Sequence, residues 1–421
     1  MDNSKLNVSP SRIAAFEILL KVEKDKAFSS ILLPMYEENL SEKDSGLCHE
    51  LVLGILRKQI YLDKVIEVFA NKKIDLEVRI ALRLGLYQLL FLDKIPAYSA
   101  INESVNLVVK AKKTSAKGFV NAILRRATRE EVNLTFADEI EQISVETSHP
   151  RWLIEKWISQ FGIEETRKLV VANNETPSLD FRLTAKTTDT IKTSLDQENI
   201  ESEKSFLRDL AKNGKIYFQD TGSQLVGKSV ELKDGEMFLD ICSAPGSKLT
   251  QIATNSSQTV FGGDLHFQRV KTIRQSAQRQ GLKNVQILQY DAEKSLPFAD
   301  ETFDVILLDS PCSGTGTIRH NPEIRYHLNE KYFTELSAKQ LKILQNASKL
   351  LKRGGRLIYS TCSLENEENE MVIEEFLKKD NEFAIIRNEV YESFSNEKGY
   401  ARTFPHRNQI DGFFIVTLKK C

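Results

Sequence analysis

At 421 residues, with 41% hydrophobic and 28% charged side chains, the chain has room for two or three domains with full-sized cores. Its 58 basic and 59 acidic residues give a formal net charge of −1, which excludes a globally basic nucleic-acid binder while leaving room for local cationic patches. No apolar run approaches the roughly 20 residues a membrane helix needs.

The amino terminus, MDNSKLNVSPSR, is polar and lacks the apolar centre of a secretory signal. Five scattered cysteines (Cys48, Cys242, Cys312, Cys362, Cys421) form no CxxC pair and no zinc spacing. Free thiols in a reducing cytoplasm are therefore expected, with no metal and no membrane partner. From Ser9 to about Arg129 the spacing is helical throughout. Ile13, Phe16, Ile18, Leu19 and Val22 form one apolar stripe; Leu47, Leu51, Val52, Ile55 and Leu56 form another. Ile80–Pro96 is too apolar for a surface helix and reads as the centre of a bundle, stopped by Pro96. A run of cations follows (Lys110, Lys112, Lys113, Lys117, Arg125, Arg126, Arg129) with no acid among them. It reads either as a solvated face or as a phosphate-contact surface for RNA. The blocks LGLYQLLFLDKIPAYSAINESVNLV and KGFVNAILRR resemble the NusB RNA-binding fold over roughly residues 5–130.

The middle of the chain is less informative. Residues 131–146 are acidic and polar, Trp152 and Trp157 fall on one helical face as core residues, and SLDFRLT alternates like a strand. Residues 185–215 read as a small helix–strand unit, so a compact α+β subdomain is expected.

After Phe238, strand-like runs (Thr259–Gly263, Val285–Gln289, Phe303–Leu308, Arg356–Ser360, Phe413–Leu418) alternate with helical ones. The alternation predicts a doubly wound parallel sheet with helices on both faces. Asp240, Asp264, Asp291 and Asp309 each stand at or just beyond a strand end. A lone acid there is a turn former or helix cap, but four along one sheet edge point to a ligand crevice. The loop FLDICSAPGSKLT (Phe238–Thr250) is the first of these exits, readable as a cofactor cradle, a nucleophile loop or a degenerate phosphate loop. It has one glycine, Gly246, where a dinucleotide loop has three, and it lacks the upstream glycine of a phosphate loop. A carboxylate-lined edge of this kind suits a cationic nucleoside, and S-adenosylmethionine carries both ribose and sulfonium. Two more strand ends hold Asp309-Ser310-Pro311-Cys312 and Ser360-Thr361-Cys362-Ser363.

DICSAPGSK, DSPCSGTGTIRHNPEIR, STCSLENEENE and DGFF resemble the RsmB branch of the bacterial RNA 5-methylcytosine methyltransferases. With the front domain, the likeness covers nearly the whole chain. It implies a multidomain enzyme: an all-α NusB-like bundle (1–135), a linker and small α+β subdomain (136–225), and an α/β Rossmann-like S-adenosylmethionine-dependent methyltransferase domain (226–421). It further implies that Cys362 is the attacking thiolate, that Cys312 assists elimination, and that Asp309 holds the cytosine edge. Cys242, Ser243, Ala244, Pro245, Gly246, Ser247 and Lys248 would cradle the methionine part of the cofactor, Asp264 its ribose and Asp291 its adenine.

An ordinary thiol, with pKa about 8.5, is only a few per cent ionised at neutral pH. Activation of Cys362 is expected from the dipole of a helix beginning near Asn366, with Glu365, Glu367 and Glu368 turned to solvent and Lys248 or a substrate-side base position supplying the rest. Arg319, His320 and Arg325 are expected to grip substrate phosphates beside the basic run. The usual family loop, APGGKT, is Ala244–Leu249 here, so Ser247 must avoid positive φ. The expected activity is cytosine-5 methylation of small-subunit (16S) rRNA by a cytoplasmic monomer. The alternatives are a tRNA methyltransferase of the same fold and a non-catalytic NusB-like RNA-binding scaffold.

Overall fold

A computed structural model describes residues 8–70, 72–195 and 204–421, which form two compact units. The first comprises the chain up to Thr176 together with Ile318–His327. Its helices are α1 (Pro10–Asp25), α2 (Ser29–Glu37), α3 (Glu42–Arg57), α4 (Gln59–Phe69), α5 (Leu76–Phe91), α6 (Ala97–Lys110), α7 (Lys117–Ala127), α8 (Glu139–Thr147), α9 (Arg151–Phe161) and α10 (Ile163–Ala172). The apolar stripes of α1 and α3 face one core, and α5 runs through it with Ile80 to Gln88 buried all round. Arg83 is tolerated there because its guanidinium bonds both Asp63 oxygens at 2.7 Å and also pairs with Glu23. Pro96 does not stop α5, which ends five residues earlier; it stands at the N-cap of α6, where a missing N–H costs nothing. Trp157 is fully buried and meets His149 edge-on, whereas Trp152 is only half-buried.

The second unit opens with the antiparallel pair β1 (Phe181–Leu183) and β2 (Ile216–Phe218), accompanied by α11 (Asp189–Leu195) and α12 (Lys204–Lys212). The part of the expected helix–strand unit at 196–203 lies outside the described residues. Then follow α13 (Thr221–Lys228), β3 (Phe238–Asp240), α14 (Ser247–Thr254), β4 (Val260–Asp264), α15 (Phe267–Arg279), β5 (Val285–Gln289) and β6 (Phe303–Asp309). After a short helix α16 (Ile324–His327), in the segment given to the first unit, come α17 (Glu330–Leu350), β7 (Leu351–Thr361), α18 (Glu370–Lys379), β8 (Phe383–Ile386), β9 (Ala401–Arg402) and β10 (Phe414–Lys420).

The large sheet has the order β5-β4-β3-β6-β7-β10-β8, with β9 paired to β10. Strands β3 to β7 are parallel, but β10 runs antiparallel to both β7 and β8, so the sheet is mixed and not wholly parallel. Strand periodicity divides the core in two. Leu239, Ile306, Leu308, Leu357 and Tyr359 face α17 and α18 on one side. Phe238, Val305, Leu307 and Ile358 face α13, α14 and α15 on the other. The strand order reverses direction at β3, between β4 and β6, and this is where a ligand crevice opens in such sheets.

Candidate functional site

Because β3 to β7 are parallel, their carboxyl ends share one edge, and the strand-end residues meet there. A cavity of about 250 Å³ opens at that edge. Of the sequence-predicted residues, Cys242, Ala244, Asp264, Asp291, Asp309, Cys312 and Cys362 line it. Ser243, Pro245, Gly246, Ser247 and Lys248 are not among the lining residues. The loop folds this way for local reasons. Ser243 donates its hydroxyl to Asp240 O at 2.7 Å and accepts from Gly263 N at 2.9 Å, stitching β3 to β4. Gly246 adopts φ 102°, a left-handed conformation that favours glycine, and α14 begins at Ser247 with ordinary helical φ. The serine therefore carries no backbone strain.

Lys248 turns toward the edge of β6. Its ammonium donates to Asp309 Oδ2 at 2.7 Å, and Ser360 Oγ donates to Asp309 Oδ1 at 2.8 Å. Burial alone would lower the lysine pKa, but the charge and hydrogen bond of Asp309, with smaller help from Cys362, more than offset it. Lys248 is thus held as a cation beside Asp309.

The two cysteines come together: Cys312 Sγ and Cys362 Sγ are 3.2 Å apart. The bond to Cys362, then burial, pushes the Cys312 thiol well above its ordinary range, so Cys312 keeps its proton. Burial and the surrounding acids do the same to Cys242, which lines the cavity with its proton held.

The acid edge has the chemistry for a cationic nucleoside. Asp264 is anchored by His266 N at 3.0 Å and Asp291 by Glu293 N at 3.0 Å, each through one oxygen. At the base of the edge Asp240 is 1% exposed, its Oδ1 has no partner among the described residues, and burial followed by the charge of Asp309 pushes its pKa up to about 8. Acceptors converging on one cavity match ribose hydroxyls, an adenine amino group and a sulfonium, so the residues present fit S-adenosylmethionine.

Three expectations are corrected. Glu365 and Glu368 are both 0% exposed instead of facing solvent. No α-helix starts at Asn366; a three-residue 3₁₀ turn, Asn366–Glu368, precedes α18. Arg325 is no phosphate grip: it is fully buried in the first unit, donating to the Thr147 and Ser148 carbonyls and to Asn174 Oδ1. Arg319 is likewise only 5% exposed. Cationic residues beside a catalytic motif look alike in sequence whether they face solvent or the core. Conversely, His266, Arg269, Tyr290 and Lys339 line the cavity without having been predicted. The first three follow strand ends and were accessible to that rule; Lys339 comes from the middle of α17, where no sequence signal marks it.

Comparison with known proteins places these features in a family. Residues 228–419 match the family described as 16S rRNA methyltransferase RsmB/F, residues 9–129 match the NusB family, and residues 149–209 match the ferredoxin-like domain of the RsmF/B-like methyltransferases. The chain is 35% identical to the probable ribosomal RNA small subunit methyltransferase B of Bacillus subtilis, over 97% of this chain and 98% of that one. It is 31% identical to ribosomal RNA small subunit methyltransferase B of Pasteurella multocida, over 97% and 96% respectively. Among solved structures, that titled PH0851 superposes with a TM-score of 0.82 at 26% identity, covering 99% of this chain and 100% of that chain. NSun6 from Pyrococcus horikoshii shares the fold, with a TM-score of 0.55 and 21% identity over 64% of this chain and 98% of that one. With its NusB-like front module and its strand-end site, the chain belongs to the RsmB/F family of 16S rRNA methyltransferases.

Proposed function

We propose that the protein methylates carbon 5 of a cytosine in small-subunit rRNA through a covalent adduct between Cys362 and the base. The observation that carries this reading is the pair of thiols 3.2 Å apart at the edge of an acid-lined cavity, beside Asp309 and Lys248. Carbon 5 of cytosine is a weak nucleophile. Addition of the Cys362 sulfur to carbon 6 makes the ring enamine-like at carbon 5, splitting one hard step into two easier ones. S-adenosylmethionine, when bound, supplies the electrophilic methyl group. After methyl transfer solvent takes the carbon 5 proton, its electron pair restores the carbon 5–carbon 6 double bond and the carbon 6–sulfur bond breaks. Cys312, which holds its proton, is suited to hand it to the departing Cys362 sulfur. Asp309 holds the cytosine edge, and Lys248 keeps Asp309 in place while supplying positive potential toward the Cys362 sulfur. Cys242, Ala244, Asp264 and Asp291 would hold the cofactor, Ser243 to Lys248 shaping its loop from behind.

The proposed division of labour keeps RNA docking in 1–135, a connecting subdomain in 136–225 and chemistry in 226–421, in a cytoplasmic protein. No helix among the described residues is long and apolar enough to cross a membrane. The test supplies radiolabelled S-adenosylmethionine with rRNA or tRNA and maps the label. Labelled cytosine in rRNA is expected; label confined to tRNA, or in no RNA, defeats the proposal. Cys362→Ala should abolish transfer, and Cys312→Ala should accumulate a covalent RNA adduct resolved on a denaturing gel. An adduct trapped by Cys362→Ala and not by Cys312→Ala would reverse the two roles.

A further inference from the structure

The ladder between β6 and β7 ends at Asp309 and Ser360, with one further bond from Ser310 N to Ser360 O at 2.8 Å. Both cysteines lie beyond it, in loops that strand pairing no longer holds. The loops bond to each other directly, Gly316 N to Cys362 O at 2.9 Å and Leu364 N to Thr315 Oγ1 at 2.9 Å, and one buried carboxylate also joins the residues that follow the two cysteines. Glu368 is 0% exposed. Its Oε2 accepts from the backbone N–H of Ser313, next to Cys312, at 2.8 Å, and its Oε1 accepts from the hydroxyl of Ser363, next to Cys362, at 2.7 Å. Gln340 of α17 donates to the same Oε2 at 2.9 Å and to Pro311 O at 3.0 Å. The backbone carbonyl of Glu368 accepts from Tyr359 OH at 2.7 Å, so the residue is also fixed to β7.

We propose that Glu368 is a positioning residue for the methyl-transfer reaction, a hydrogen-bonding clamp that sets the spacing of Cys312 and Cys362. The proposal rests on the reading that these two thiols carry the chemistry. Glu368 touches neither sulfur through a hydrogen bond; it acts through the residue following each cysteine. Three donors converge on the carboxylate from three elements, and it has no other partner among the described residues. An acid with two acceptor oxygens suits that role, whereas alanine leaves all three donors in a dry site. Glutamine preserves the shape: its oxygen can face Ser313 and Gln340, and its amide can donate to Ser363, whose hydroxyl reverses.

The test uses the full-length protein and two readouts. Phenylarsine oxide condenses with two thiols, releasing water, only where both sulfurs reach one arsenic atom; its attachment is mapped to Cys312 and Cys362 by mass spectrometry. Steady-state methyl transfer is measured alongside. Glu368→Ala should weaken arsenical binding at this pair at least about tenfold and lower kcat by at least about tenfold, with KM for both substrates within about twofold. Glu368→Gln should restore both quantities to within about threefold of the parent. Ser363→Ala removes one hydroxyl from the clamp and serves where Glu368→Ala fails to fold; it should shift both readouts the same way. Unchanged arsenical binding in a folded Glu368→Ala or Ser363→Ala protein overturns the clamp, as does a Glu368→Gln protein as defective as Glu368→Ala. Failure of the catalytic reading shows separately, as methyl transfer that survives Cys362→Ala while the arsenical still reports the spacing.

Discussion

Asp240 shows what a single side chain costs at the ligand edge. It is almost wholly buried, one oxygen has no partner among the described residues, and its pKa is pushed up to about 8 from an ordinary 3.8 by burial and then by Asp309. A carboxyl whose pKa is raised on folding binds a proton in the native state that the unfolded chain releases. Its favourable contribution is complete below about 3.8 and is lost as pH rises through about 8. Asp240→Asn removes that titration, so its thermal midpoint should gain on the parent protein from pH 5 to about pH 8 and level off above it. A midpoint difference that stays flat across that range would mean Asp240 is ionised throughout. Individual residues differ in how far sequence reveals them. Asp240, Asp264 and Asp309 were legible because each ends an apolar run and strand geometry fixes where it points. Glu368 was not: in STCSLENEENE four acids are equivalent as letters, and only the fold turns Glu365 and Glu368 inward.

At the scale of an element, the segment Ile318–His327 is the least expected feature. It follows the Cys312 motif directly in sequence, yet it packs as part of the helical first unit. The bonds that hold it are buried and specific: Glu323 accepts from Ser29 N–H at 2.6 Å, Tyr326 OH donates to Leu56 O at 2.7 Å, and Arg325 fills the pocket made by α8, α10 and the turn at His149. Strand and helix periods could not reveal this, because a ten-residue connection carries no period; its charges read as an RNA contact because sequence gives no burial. Arg325→Ala empties a fully buried site and strands the carbonyls that arginine serves, so it should destabilise the protein by at least about 3 kcal/mol in denaturant titration. A loss below about 1 kcal/mol would show that the segment is not held this way. His149 in the same cluster is depressed well below its ordinary 6.5, by burial first and by the Arg325 charge second. Below pH 6.5 the unfolded chain therefore binds a proton that the folded one refuses, and stability falls with falling pH. The slope from this group approaches about 1.4 kcal/mol per pH unit, and a His149→Asn variant should lack it between pH 6.5 and 5.

For the whole molecule, the near-zero net charge hides a partition. The seven cations from Lys110 to Arg129 are followed by an acidic linker, and the sum comes to −1. Lys113 is paired with Asp75 and Glu77, and Arg126 with Glu130, so these two are spent on the fold. Lys110, Lys112, Lys117, Arg125 and Arg129 are exposed and make no ion pair among the described residues. Lys117, Arg125 and Arg129 also line a groove of about 780 Å³ between α6 and α7, with Tyr98 at its side 77% exposed. A solvated face and a phosphate-contact face differ in one measurable respect. Phosphate contacts release counterions, and each contact to single-stranded RNA contributes about 0.7 to the slope of log affinity against log salt. Replacing Lys117, Arg125 and Arg129 together by alanine should therefore weaken rRNA binding and lower that slope by about 2, in proportion to three lost contacts. The melting temperature should hardly move, since none of the three supports the core and exposed charges contribute little to stability. An unchanged salt slope would return the run to a solvated surface. It would also move the RNA-docking role away from the front helices, leaving substrate capture to the catalytic unit itself.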